Sequence, residues 1–152
     1  MTALGGRTII FAPAGSGSKG DEGMVRGALR LFDSEDVIVI NPEVRSWRGE
    51  IEGACEFREI YYDRKNYKDL IEKDTAVVFV GADVIDGSAG IPGSLLRLDA
   101  IEMSIEAGAQ VFVFFSYRSD TDAEIESRLT GITQSSRVYF FLRDEPSLER
   151  FR

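Results

Sequence analysis

The feature that most constrains this chain is the alternation of short, wholly apolar runs with segments of helical period. Residues 36–41 (DVIVIN) and 75–80 (TAVVFV) are almost continuous β-branched or aromatic sequence. Runs of that kind, bounded by turn residues, suit strands buried on both faces. Residues 7–13 (RTIIFAP), 57–62, 111–115 and 138–142 read as four further strands, with Glu59 interrupting the second of these. Between them, residues 21–32 have helical spacing through Met24, Ala28, Leu31 and Phe32, and residues 94–107 through Leu95, Leu98, Ile101, Met103 and Ile105. Gly108 is placed to stop that second helix. A short helix is predicted over 66–72, Thr121 and Glu124 form a capping-box pattern for a helix running to about Leu129, and Asp144-Glu145-Pro146 is placed to start a last one. Strands that alternate with helices need crossover connections, and crossovers make neighbouring strands parallel. The expected fold is α/β, a Rossmann-like three-layer αβα sandwich with a mostly parallel sheet of about six strands and helices on both faces.

A chain of 152 residues, 43% of them hydrophobic, buries a full core as one domain spanning 1–152. Cys55 is its only cysteine, so no internal disulfide forms and a reduced cytoplasm is the expected location. Nothing basic lies near Cys55 in the pattern that marks a reactive thiol. No apolar run approaches the roughly 20 residues of a membrane span, and the N-terminus lacks the features of a signal peptide. The net charge of -8 opposes a nucleic-acid partner, because Arg45, Arg48, Arg58, Arg64, Lys65 and Lys68 are interleaved with acids. Histidine is absent, which removes the commonest general base and metal ligand; no metal and no cofactor is expected.

Ligands of open α/β sheets bind beyond the carboxyl ends of the strands, so the loops there are the places to search. Residues 15–20 (GSGSKG) satisfy the G-x-G-x-x-G pattern of dinucleotide sites, and Glu43 lies where a ribose-binding acid would sit. Asp21 and Glu22 follow at once, at the helix terminus whose positive end would hold a pyrophosphate. Two carboxylates there repel a phosphate and suit hydroxyls better; equally, they complement the helix dipole while the glycines make a turn. The loop after the fourth strand, residues 81–93, carries Asp83 and Asp86 among four glycines. Both loops are long for such connections. Arg118, after the fifth strand, is placed to reach an anion or to pair with Asp120 or Asp122. Trp47, Tyr61 and Tyr62 could stack on a sugar or pack in the core.

These loops together resemble the polysaccharide pyruvyl transferase family. Members open with a strand, a Gly-rich stretch and a Gly-Asp-Glu run entering a helix, matched here by Gly15, Ser16, Gly17, Gly20, Asp21 and Glu22. A Gly-x-Asp start after a later strand is matched by Gly81-Ala82-Asp83, continuing through Asp86, Gly87 and Ser88, and an Arg-Asp-Glu-x-Ser run by residues 143–147. The chain departs from the family in Ser88-Ala89, where a run of glycines is usual, and in residues 116–119 after the fifth strand. The resemblance implies the N-terminal half of a two-domain, glycosyltransferase-B-like protein, cytoplasmic and active in exopolysaccharide biosynthesis. Such enzymes move the enolpyruvyl group of phosphoenolpyruvate to two sugar hydroxyls as a ketal. It implies Asp21 and Glu22 as catalytic residues, with Gly15, Ser16, Gly17, Gly20, Asp83, Asp86, Gly87 and Ser88 binding substrate; Arg118, expected from its place after the fifth strand, joins them as a substrate-binding candidate. Phosphoenolpyruvate would be held by a C-terminal half outside this chain, which alone would be inactive. The rival reading is a self-contained Rossmann-like nucleotide-binding module using residues 15–20.

Overall fold

The computed structural model describes residues 6–13, 18–32, 34–42, 47, 56–81, 85–88, 90–118 and 122–151. Among these residues eleven elements run in order β1 (Arg7–Phe11), α1 (Lys19–Leu31), β2 (Asp36–Asn41), β3 (Arg58–Tyr61), α2 (Arg64–Leu70), β4 (Ala76–Val80), α3 (Ile91–Glu106), β5 (Gln110–Phe115), α4 (Ala123–Thr133), β6 (Val138–Leu142) and α5 (Glu145–Phe151). One six-stranded sheet has the order β3-β2-β1-β4-β5-β6. Every pairing in it is parallel. The fold is the α/β, Rossmann-like sandwich that the alternation of elements predicts.

The strand sequences explain the sheet's burial. β4 (AVVFV) lies at the centre and is buried at all five positions. Only a strand covered on both faces tolerates apolar residues of both parities. Edge strand β3 (REIY) instead leaves Arg58 and Tyr61 exposed. Glu59 does not interrupt it, because its carboxylate accepts from the Asn41 side chain (3.2 Å) and the Trp47 backbone N–H (2.6 Å). One face of the sheet packs Ile9, Phe11, Ile38, Val77, Phe79, Val111 and Val113 against Tyr67 of α2, Leu98 and Ile101 of α3, and Ile125 and Leu129 of α4. The other face packs Ile10, Val37, Val39 and Val78 against Val25, Ala28 and Leu29 of α1, with Trp47 wholly buried among them.

Helix starts differ from expectation wherever a better cap was available. α1 begins at Lys19, not Asp21, because the Ser18 hydroxyl accepts from the Asp21 N–H. α3 begins three residues early at Ile91, where Pro92 is tolerated because first-turn N–H groups have no intrahelical partner. The cap of α4 is Asp122, whose carboxylate accepts from the Glu124 N–H at 2.9 Å, and the helix passes through Gly131 to Thr133. Thr121, the cap expected from sequence, lies outside the described residues. Asp144 caps α5 by accepting from the Ser147 N–H at 2.8 Å.

Candidate functional site

In this strand order the chain reverses direction across the sheet between β1 and β4, so the connections leaving these two strands separate to opposite faces and open a crevice at their carboxyl ends. Phe11 pairs with Phe79, which sets the ends of β1 and β4 side by side. Both glycine-rich loops singled out above therefore leave from this point. Gly15, Ser16 and Gly17 of the first loop, Asp83 of the second, and Glu43 and Cys55 lie outside the described residues.

From the first loop the chain enters α1 with Gly20, Asp21 and Glu22 already helical. Asp21 is half-buried, and burial raises its carboxyl above the ordinary value, partly offset by its contact with Ser18. Glu22 has a different setting. Its two oxygens accept from Lys19 at 2.7 Å and Arg26 at 3.0 Å along the helix, which lowers its carboxyl. A carboxylate so engaged is a poor general base, whereas one raised by burial is closer to the range where a proton is both taken and released. The two acids that sequence treats alike are thus chemically unlike.

In the second loop, Asp86 is buried and satisfied within the protein. One oxygen accepts from the Ser88 N–H (3.0 Å) and hydroxyl (2.6 Å), the other from the Arg118 N–H (2.8 Å). The residue ties the loop after β4 to the loop after β5. Gly87 donates its N–H to the Ser94 hydroxyl at 3.0 Å. Its φ of +86°, together with Ile125 Cδ1 only 3.1 Å from where a Cβ would sit, calls for glycine. Ser88 and the Arg118 side chain are exposed at the rim. Asp86, Gly87, Ser88 and Arg118 are brought together; Asp21 and Gly20 stand on the α1 side of the crevice.

Arg97 is absent from the sequence-based candidates. It is 4% exposed on α3, donates to the Gly93 carbonyl at 3.0 Å, and holds its guanidinium 5.8 Å from the centre of the Phe11 ring. A signal for it existed: Ser94, Arg97, Leu98, Ile101 and Ser104 share one helical stripe, and a cation on a buried stripe is conspicuous. Tyr62 packs on Phe11 (5.3 Å) and Tyr67 (5.6 Å), and burial raises its hydroxyl above the ordinary value. Together with the buried Trp47 this makes packing the role of those aromatics, while Tyr61 is exposed.

Comparison with protein-family models, with curated proteins and with solved structures found no match to this chain.

At this end of the sheet stand an acid raised by burial in the first turn of α1 and a loop clamped by Asp86. Among the described residues no helix is long and apolar enough to cross a membrane. Nor do any three His, Cys, Asp or Glu side chains there gather in a way that could hold a metal ion.

Proposed function

We propose that this chain is the acceptor-side domain of a cytoplasmic polysaccharide pyruvyl transferase, binding a sugar at the β1/β4 crevice. The observation that carries the reading is the place of Asp21, a half-buried carboxylate in the first turn of α1, which leaves the loop after β1. A carboxylate there accepts a hydrogen bond from a sugar hydroxyl and takes its proton as the oxygen attacks. In the overall reaction one acceptor oxygen adds to C2 of the enolpyruvyl group while C3 gains a proton and becomes a methyl. The second oxygen then forms its bond to C2 as the C2–O bond to phosphate breaks, leaving the ketal and inorganic phosphate. The phosphoenolpyruvate itself would be held by a second domain, as the family resemblance implies.

Isotope-edited NMR of the chain tests the acceptor half of this proposal. Galactose, glucose, mannose and their N-acetylated forms, added at millimolar concentration, should shift the amides of Ser18, Gly20, Asp21 and Gly81, and phosphoenolpyruvate alone should not. The shifts should vanish in Asp21→Asn. Absence of any sugar-dependent shift at these residues sinks the reading.

The strand order favours a second one, a nucleotide-binding module, because it is the order of dinucleotide-binding sheets and the N-terminus of α1 lies at the switch point. Asp21 opposes it, since like charges about 4–6 Å apart cost on the order of 1 kcal/mol in water and more when partly buried, whereas Glu22 is already paired with Lys19 and Arg26.

A further inference from the structure

The two outer strands of the sheet are built differently. β3 (REIY) carries Arg58 and Glu59 in its four residues, and charged side chains are what keep an exposed edge from pairing. β6 (VYFFL) has neither a charge nor a proline in its five. It is nevertheless the last strand in the order, with no strand beyond it among the described residues. Two backbone bonds fix which of its groups face outward. The Arg143 N–H donates to the Phe115 carbonyl at 3.1 Å, and the Val111 N–H to the Arg137 carbonyl at 2.8 Å. Every second residue of a strand bonds to the same neighbour, so Tyr139 and Phe141 turn their backbone groups to β5, while Val138, Phe140 and Leu142 turn theirs to the open edge. Of these groups the Val138 N–H makes a long bond, 3.4 Å, to the Ser135 carbonyl.

Tyr139 and Phe141 stand 45% and 44% exposed on the bare face beside α1. There they stack on Phe112 and Phe114 of β5, with ring centres 5.2 and 4.5 Å apart. Those distances are close to the spacing of paired strands, about 4.8 Å. A further strand laid along β6 continues both stacks if it brings a ring opposite each, and β6 itself does so. About a two-fold axis through Phe140 and perpendicular to the sheet, Val138 meets the other copy's Leu142 at hydrogen-bonded positions, and Tyr139 meets the other copy's Phe141 at the closer, unbonded ones. Phe112 and Tyr139 are then followed in one stack by the other copy's Phe141 and Phe114. The one unfavourable match is Arg137 opposite the other copy's Arg143. Arg137 is held to the Gly108 carbonyl at 2.8 Å, toward β5 and away from the edge, and salt screens the remaining repulsion.

We propose that two copies of this chain pair β6 against β6, antiparallel about Phe140, to form one continuous sheet. The contact is isologous, as a two-fold axis requires. A strand of unrelated sequence satisfies the outward backbone groups equally well. It does not also bring an aromatic ring opposite both Tyr139 and Phe141, and this is what makes a second copy the occupant.

Sedimentation velocity of the full chain across a concentration range tests the proposal, with a dimer expected, and hydrogen exchange of the Phe140 and Leu142 amides should slow as the dimer forms. Tyr139→Lys should weaken the dimer about tenfold or more, because two cross-strand ring pairs are lost and the edge gains a charge. Cross-linking reads the register even if that variant fails to fold. With Cys55→Ser in both, a Tyr139→Cys chain mixed with a Phe141→Cys chain should form a disulfide on oxidation, since directly opposed Cα atoms at such positions lie about 4.5 Å apart. Tyr139→Cys alone should not, because its two copies lie on a diagonal of about 7–8 Å. A chain that stays monomeric at every concentration, a dimer whose Phe140 amide exchanges no more slowly, or failure of the mixed cross-link overturns the proposal; in the first case the edge is left to a strand of another protein.

Discussion

Asp86→Ala removes the acceptor that joins two loops, and its cost follows from three hydrogen bonds. The carboxylate accepts at 2.6 and 3.0 Å from Ser88 and at 2.8 Å from the Arg118 backbone. Ser88 is exposed, so water replaces much of what its two donors lose. The Arg118 N–H is partly buried, and a donor left without its charged acceptor costs about 1–3 kcal/mol. Adding a cavity where a 1%-exposed side chain stood, the total comes to about 2–4 kcal/mol. For a domain of this size about 3 kcal/mol lowers the melting temperature by roughly 6–12 °C. Asp86→Asn should fall between, because the amide oxygen still serves one side of the clamp while its NH₂ faces a donor on the other. Calorimetric melting gives the stability, and hydrogen exchange of the Ser88 and Arg118 amides, faster in the Ala variant, localises the effect. If Asp86→Ala melts within about 1 °C of the parent chain, the loops are not held by this carboxylate. The residue would then be free for the ligand-binding role that the family resemblance implies.

Gly87→Ala should cost about 1–3 kcal/mol, since φ of +86° disfavours a side chain and Ile125 stands 3.1 Å from the new Cβ; chemical denaturation measures it, and an unchanged midpoint refutes the strain. The Asp36 carboxyl is lowered by hydrogen bonds from Arg7 and Arg58, so it adds stability above the ordinary carboxylate value that is lost as pH falls through its depressed one. Urea midpoints from neutral to acid pH should show a shallower acid limb in Asp36→Asn. Asp21 has the opposite sign: raised by burial, it favours the folded state when protonated and loses that contribution as pH rises through its raised value, a trend that Asp21→Asn should erase. Calorimetry with NAD, NADP and ATP at low millimolar concentration should detect no binding to the chain. Micromolar binding abolished by Gly17→Val would replace the transferase reading with the nucleotide module.

The architecture was legible because its signals are local and redundant. Continuous apolar runs at 36–41 and 75–80 can only be strands buried on both faces, and helical spacing between strands forces crossovers and hence parallel pairing. The loops after β1 and β4 were legible for the same reason, since glycines and acids clustered after a strand mark its carboxyl end. Errors of two or three residues at helix starts came from caps, where Ser18, Asp63 and the tolerated Pro92 competed with equally plausible neighbours.

By itself the sequence determined the element order and the parallel sheet, because these depend on periodicity and on the handedness of crossovers. Only the tertiary structure distinguished Asp21 from Glu22, for a carboxyl group's chemistry depends on its burial and on the cations within reach, neither of which is a property of its chain position. The same holds for Asp86, turned inward as a clamp, and for Arg97, buried under Phe11. It holds too for the bare face over β5 and β6. Their apolar residues announce burial, but whether a helix of the same chain covers them is decided by which side of the sheet each crossover takes.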